Sequence, residues 1–510
     1  MRSIVYSNSF RFTGLSLLIF VVCSWFALLS TVTAADLPPF KENIFSLGKF
    51  PSNWEMHPNS IIFSADLKRM AYVVRSGKKY AVAENGTVDP QVFDGININT
   101  PLFSLNSVHM AYIAKRNEKW MVVLDGIMGP AYDMVEFPEF SRDSSRFAYT
   151  AKKKNRLLMV VDGKEETSFD TILPLSFIFS PDSKHYAYVG IQDKKMTVML
   201  DGKKGVVCDA LSRPIFSPDS THVAYVVQKQ KEKKSVLIVD GRETTPAYDF
   251  IGVLKYSPDS RRMAYTVFAE KKWFTIIDGK EEKKYDAVGI STFSPDSSHV
   301  SYLAVDGKKK FMITDGKKGP EFDDILILGF SPDSAHFFYT VKNGEKYRVV
   351  YDGIPGPAYD MISLPAFSLD SEHLSYAAEM GKKIFVVLDG KEGQTYGLIL
   401  PPIFSPDSKH LAYQALKNGL WMMVMDGKEG SPYVEIKHPV WSPDSKHLAF
   451  MAQRLQKWLV VVDDKPANKQ FFGFFKDTTL NFSTPTKIRT LVVQDAKPGL
   501  QIERYEIDLH

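Results

Sequence analysis

An all-β fold built from tandem four-stranded units is predicted by three observations: a ten-residue phrase repeated at a nearly fixed interval, apolar residues alternating with period two between its copies, and a turn dipeptide at a constant offset inside each copy. The clean form of the phrase is Phe404-Ser405-Pro406-Asp407-Ser408-Lys409-His410-Leu411-Ala412-Tyr413. Variants of it begin at Phe63, Phe103, Phe140, Phe179, Phe216, Tyr256, Phe293, Phe330, Phe367 and Trp441, in steps of 37 to 40 residues. Self-similarity at such a period means that one supersecondary unit has been copied along the chain.

Each element of a copy is legible in order. A short extended piece, Pro365 to Ser368, leads into Ser-Pro-Asp-Ser, a tight turn in which Pro fixes φ and Asp or Ser accepts a local backbone hydrogen bond. His373 to Ala378 reads as a second strand. Lys383 to Asp389 reads as a third, with apolar residues on both faces, as expected where sheets pack face to face. Asp-Gly then marks a hairpin, because glycine takes positive φ at little cost. Tyr396 to Leu400 reads as the last strand of the copy. The Asp-Gly stands 22 residues after the start of most copies, as at Asp125, Asp201 and Asp389, and 24 residues on at Asp240, where the preceding loop Lys229 to Lys234 is longer. Short β-branched runs with Pro and Gly at fixed offsets exclude a helical solenoid. Four short strands per repeat of about 40 residues make the blade of a β-propeller.

An imperfect twelfth copy follows Trp441: Asn481 to Lys487 matches the first strand and turn, Ile488 to Gln494 the second strand and Leu500 to Ile507 the third. Its fourth strand is missing. An N-terminal segment around Asn59 to Phe63, or slightly earlier, is expected to supply it and close the architecture. Twelve blades allow one large ring or two tandem six-bladed propellers. Even spacing from Tyr256 to Trp441 favours the ring; the usual range of four to eight blades favours two propellers, residues 36–280 and 281–510, with the break near Lys280.

Residues 1–35 have the order of a cleaved signal peptide: Arg2 and Arg11, an apolar run from Leu15 to Leu29, then the small residues Val32, Ala34 and Ala35. Export to the periplasm or beyond, with no transmembrane segment after cleavage, is the expectation. Cleavage removes Cys23 and leaves Cys208, so no internal disulfide can form. Cys208 takes the place of Tyr248, Tyr285 or Phe322 in other copies, which points to a buried filler. With 63 basic and 59 acidic residues the chain has no global pull toward nucleic acid or an anionic membrane.

Phe-Ser-Pro-Asp-Ser followed by a basic residue and Ala-Tyr resembles the WD-repeat-like module of TolB-type periplasmic proteins and of the propeller in prolyl-oligopeptidase-type enzymes. The resemblance covers about residues 60 to 510 and implies the fold; it spans binding proteins, assembly factors and enzyme gates, so function needs other grounds. The peptidase branch carries its nucleophile in Gly-x-Ser-x-Gly. No such pentapeptide occurs here.

Two repeated side chains are candidates for chemistry. One slot before the second strand holds His109, His185, His222, His299, His336, His373, His410 and His447, with Arg69, Arg146 and Arg262 in other copies. Equivalent residues of neighbouring blades stand apart and Arg cannot ligate, so the slot reads as a tether rather than a metal site. Its acceptor would be the Asp of the same turn, as at Asp182, Asp219 and Asp407, or the Asp after the preceding aromatic, as at Asp360. That second Asp recurs from Asp94 to Asp360 and is lost at Gly397 and Val434. The loop between second and third strands is basic, most densely at Lys152, Lys153, Lys154 and Arg156 and at Lys231, Lys233 and Lys234. It is the expected contact for a protein partner or a polysaccharide. No cofactor or metal is expected. The expected function is a non-catalytic binding scaffold acting through rim loops or channel mouth; the alternative is a hydrolase or lyase whose site assembles in the channel.

Overall fold

The computed structural model of the chain describes residues 40–475, 478–496 and 499–509. The expected signal segment lies outside them. The described residues form twelve small antiparallel sheets and no α-helix, with one 3-10 turn at Pro58–Ser60. Each sheet is one blade, numbered here in chain order.

Blade 9 shows the common plan. Its first strand is split into Met361–Ile362 and Ala366–Phe367; both pieces pair with the second strand, Leu374–Met380, which pairs with Lys383–Leu388, which pairs with Lys391–Tyr396. The boundary expected at Tyr396 to Leu400 is corrected. Tyr396 ends the outer strand of blade 9 and Leu398–Ile399 begins the inner strand of blade 10, because the chain crosses between blades at Gly397. The middle strands are apolar on both faces because each face packs on a different neighbour. Ala377 and Val386 of blade 9, for example, share a core with Tyr413, Ala415, Met422 and Val424 of blade 10.

The repeated turn welds successive blades. Ser405 donates to Asp407 Oδ1 at 2.6 Å and accepts from the His410 amide at 3.0 Å, while Asp407 Oδ1 also accepts from the Lys409 amide. The Asp407 amide then donates to Ser445 Oγ of blade 11 at 2.8 Å. The same link runs at every boundary from blade 1 to blade 11, starting with the Asp66 amide on Ser107. Each turn thus satisfies its own backbone and one donor of its neighbour.

Of the two geometries that the blade count allows, the chain takes the single ring of twelve. No break falls near Lys280. Blades 6 and 7 meet there as other neighbours do, the Arg262 guanidinium donating to the Ser297 and Ser298 carbonyls at 3.0 and 2.8 Å and Ala264 packing with Tyr285 and Val300. Blade 12 packs on blade 1, where Leu491 and Ile502 join Met70 and Tyr72, and the Phe475 ring lies edge-on to Phe63 at 5.1 Å.

Closure is achieved by the N-terminus, through a different segment from the one expected. Lys41–Ser46 pairs antiparallel with Gly499–Asp508 as the outer strand of blade 12, Lys41 opposite Asp508 and Ser46 opposite Glu503. Asn59 to Phe63 instead forms part of the 3-10 turn and the inner strand of blade 1, where Phe63 pairs with Met70. The segment is displaced because Asn59 to Phe63 already leads into the first copy of the phrase. Glu42 anchors the added strand by accepting from the buried Tyr505 hydroxyl at 2.5 Å and from the Asn468 and Lys469 amides.

Candidate binding site

Antiparallel strands place the turns after the first and third strands on one rim and the turns after the second strand, with the crossovers, on the other. The His slot lies on the first rim. Each imidazole approaches the first Asp of the turn between third and fourth strands, His109 Nδ1 lying 2.7 Å from Asp125 Oδ2 and His373 Nδ1 2.8 Å from Asp389 Oδ2, with the same pairing at His185, His222, His299, His336 and His410 and at His447, whose turn reads Asp463-Asp464 in place of Asp-Gly. The acceptor expected from sequence is therefore corrected. Asp182, Asp219 and Asp407 are engaged by their own turn hydroxyls and amides, and Asp360 lies on the other rim. The Asp-Gly carboxylate reaches the slot because its other oxygen accepts the amide that follows it, as Asp389 Oδ1 does from Leu374.

His and Arg alternate in this slot because both are flat and donate. His109, His299, His373 and His410 stack on the first aromatic of the next blade, and the guanidinium groups of Arg69, Arg146 and Arg262 lie over the equivalent rings. Among the described residues no three His, Cys, Asp or Glu gather where they could hold a metal ion.

On the second rim the crossover Asp clips two blades together. Asp360 takes Lys346 of its own blade at 2.6 Å and the Gly381 amide of the next at 2.7 Å. Both donors stabilise the ionised form and hold its pKa below the usual carboxylate range. Gly397 and Val434 remove this clip from the later blades. Three of the basic loop residues singled out from the sequence are absorbed by such pairing: Lys153 with Glu165, Arg156 with Asp170 and Lys234 with Asp249. Lys152, Lys154, Lys231 and Lys233 form no ion pair among the described residues. Cys208, half-buried between the Met196 and Ala210 carbonyls, has its thiol pushed up to about 11 by burial, which keeps it protonated.

The inner edge of the ring carries a feature that sequence reasoning missed. The first strand of each blade is innermost, and a few residues before its motif aromatic it is interrupted, by a bulge in blades 3, 6, 8 and 11 and by a break into two pieces in the others. In blade 3 the bulge places Phe137 at φ 53° and shifts the register between Glu136 and Glu139. Phe137, Leu175, Val253, Ile290, Ile327, Leu364 and Leu400 are all exposed there, Leu175 by 63 % and Leu364 by 54 %. They belong to blades 3, 4 and 6 to 10. Blade 5 puts Arg213 at the same place. The signal available in the sequence was an apolar residue three or four positions before the motif aromatic that the alternation did not need for the core.

No family model and no curated protein matches the chain. Among solved structures it is similar to a eukaryotic initiation factor at 13 % identity and a TM-score of 0.32, covering 64 % of this chain and 96 % of that one. It is also similar to TolB from Acinetobacter baumannii at 12 % identity and 0.23, covering 49 % and 77 %, and to the Dos1 propeller at 12 % and 0.27, covering 65 % and 90 %. Scores of this size leave the blade pairing of the chain itself as the ground for its fold. The chain is a β-propeller of twelve blades.

Proposed function

We propose that the chain is an exported, non-catalytic scaffold of the TolB-like kind that binds a protein partner at the mouth of its central channel. The observation that carries this reading is the arc of exposed apolar side chains on seven inner strands. A core-forming sequence gains nothing from placing Phe137, Leu175, Ile327 and Leu364 in water at equivalent positions, and exposed apolar surface on this scale marks a contact surface. Export is supported by the basic, apolar and small order of residues 1–35. Among the described residues no helix is long and apolar enough to cross a membrane.

A second reading places the partner on the basic rim, and its support is the unpaired set Lys152, Lys154, Lys231 and Lys233. One experiment separates the two. Immobilised wild-type chain, an inner-edge variant carrying Ile327→Asp and Leu364→Asp, and a rim variant with Lys152, Lys153, Lys154, Lys231, Lys233 and Lys234 neutralised are exposed to a periplasmic extract, and retained proteins are compared by mass spectrometry. The channel-mouth reading expects a protein held by the wild type and the rim variant and lost from the inner-edge variant at unchanged melting temperature. Loss from the rim variant alone moves the site to the rim. Failure of the wild type to retain any protein overturns the scaffold reading.

A further inference from the structure

The inner edge is not uniform, and its irregular sector holds a chamber. Four residues before the motif aromatic, blades 3, 4, 8, 10 and 11 carry Glu136, Leu175, Leu326, Leu400 and Lys437 and blade 9 carries Ser363, whereas blades 6 and 7 carry glycines in succession, Gly252 and Gly289, after Ser212 in blade 5. A cavity of about 700 Å³ opens there, running between blades 5 and 6 and walled by Leu211, Val253, Leu254, Val288, Ile290 and Trp273. The close approach of Gly252 to the second strand leaves no room for a side chain, since a Cβ there would come within 2.4 Å of Thr266 Oγ1.

Charge enters this chamber at one point. Arg213 is the only charged residue lining it; the guanidinium donates to the Pro174 carbonyl at 3.2 Å and has no carboxylate partner among the described residues. At its rim end the chamber adjoins a smaller hollow of about 250 Å³ that shares Gln228 and Phe250 with it and is lined by the long loop of blade 5. In that loop Lys229 and Lys234 are neutralised by Glu243 and Asp249; Lys231 and Lys233 form no ion pair among the described residues, and of these two Lys233 lines the hollow. A mostly apolar cavity of this volume with a few placed polar groups has the make-up of a small-molecule site. The positive sign excludes cationic ligands, the apolar walls exclude sugars, and the planar fork of a guanidinium matches a carboxylate.

We propose that the cavity between blades 5 and 6 binds a single-chain amphiphile bearing a carboxylate, its alkyl chain among Val253, Leu254 and Ile290 and its head group on Arg213. This site goes beyond the scaffold reading and needs no protein partner. The test is calorimetric titration of the mature chain with laurate below its micellar concentration, beside dodecyltrimethylammonium and acetate. Laurate is expected to bind one to one, and the other two to give no binding heat. Arg213→Gln should weaken laurate by at least about tenfold through loss of the charged fork, with Arg213→Lys intermediate. Ile290→Asp should abolish binding, and the exposed Arg213 variants keep the test decisive if that variant does not fold. Equal binding of laurate and dodecyltrimethylammonium, unchanged affinity in Arg213→Gln, or no laurate bound by the wild type overturns the proposal. Loss of laurate in Arg213→Gln with the protein partner still retained separates this site from the channel-mouth surface.

Discussion

At the scale of single residues, the His slot shows how a repeated side chain can be chemically suggestive and structurally employed. His373 and Asp389 are 42 % and 40 % exposed, so solvent screens their interaction, and His373→Ala should cost only about 0.5 to 1 kcal/mol in chemical denaturation. Asp389→Ala removes two acceptors, one for the ring and one for the Leu374 amide, and should cost more, about 1 to 2 kcal/mol. The double variant should cost little beyond Asp389→Ala alone, because His373 then has no partner left to lose. Additive losses would show that the ring works mainly through its stacking on Phe404. That the slot needs a flat hydrogen-bonding side chain was legible in the sequence from the exchange of His with Arg. The acceptor was not, since pairing across a hairpin depends on which carboxylate the strand register brings alongside, and a residue 16 positions away competed with one three positions away.

At the scale of elements, the closing blade concentrates the structural risk of the molecule. Without Lys41–Ser46 the strand Gly499–Asp508 would be an open edge, a template for pairing with another chain. A chain beginning at Leu47 should therefore associate in a concentration-dependent way, visible by light scattering, while the full mature chain does not. Glu42→Ala keeps the strand and removes the acceptor of the buried Tyr505 hydroxyl, which should lower stability by about 1 to 3 kcal/mol. A monomeric truncated chain of unchanged stability would show that the closing strand is dispensable. The missing fourth strand and its N-terminal origin were legible because the last copy breaks off after its third strand. Its identity was not, because Lys41-Glu42-Asn43-Ile44-Phe45-Ser46 lacks the repeated phrase and alternates only weakly. The apolar inner edge escaped notice for a related reason: a bulge breaks the period of two, so its residues cannot be assigned to a face by alternation.

At the scale of the whole molecule, the ring is held by bonds that each straddle two blades, and this makes its response to acid collective. Blade number was readable from the count of phrases, whereas ring against pair of rings turned on whether one boundary differs from the rest, and the boundary at Lys280 uses the same turn as the others. The carboxylates of those turns, Asp66, Asp143, Asp182, Asp219, Asp259, Asp296, Asp333, Asp370, Asp407 and Asp444, are all held below the usual range, led among the lowering causes by the Ser hydroxyl of the turn. For Asp219 the value is about 2. The crossover carboxylates Asp94, Asp133, Asp249, Asp286, Asp323 and Asp360 are lowered by their lysines and turn amides. A carboxylate whose folded pKa lies below its unfolded value stabilises the fold at pH above the unfolded value, about 3.9 for Asp, and loses that contribution as pH falls toward the folded one. The melting temperature should accordingly fall most steeply below about pH 4, in a single transition because protonating a turn loosens the blades on both sides of it. Differential scanning calorimetry from neutral to acid pH measures this directly. A melting temperature that stays flat from neutral pH down to about pH 2 would show that the aspartate turns do not control the ring.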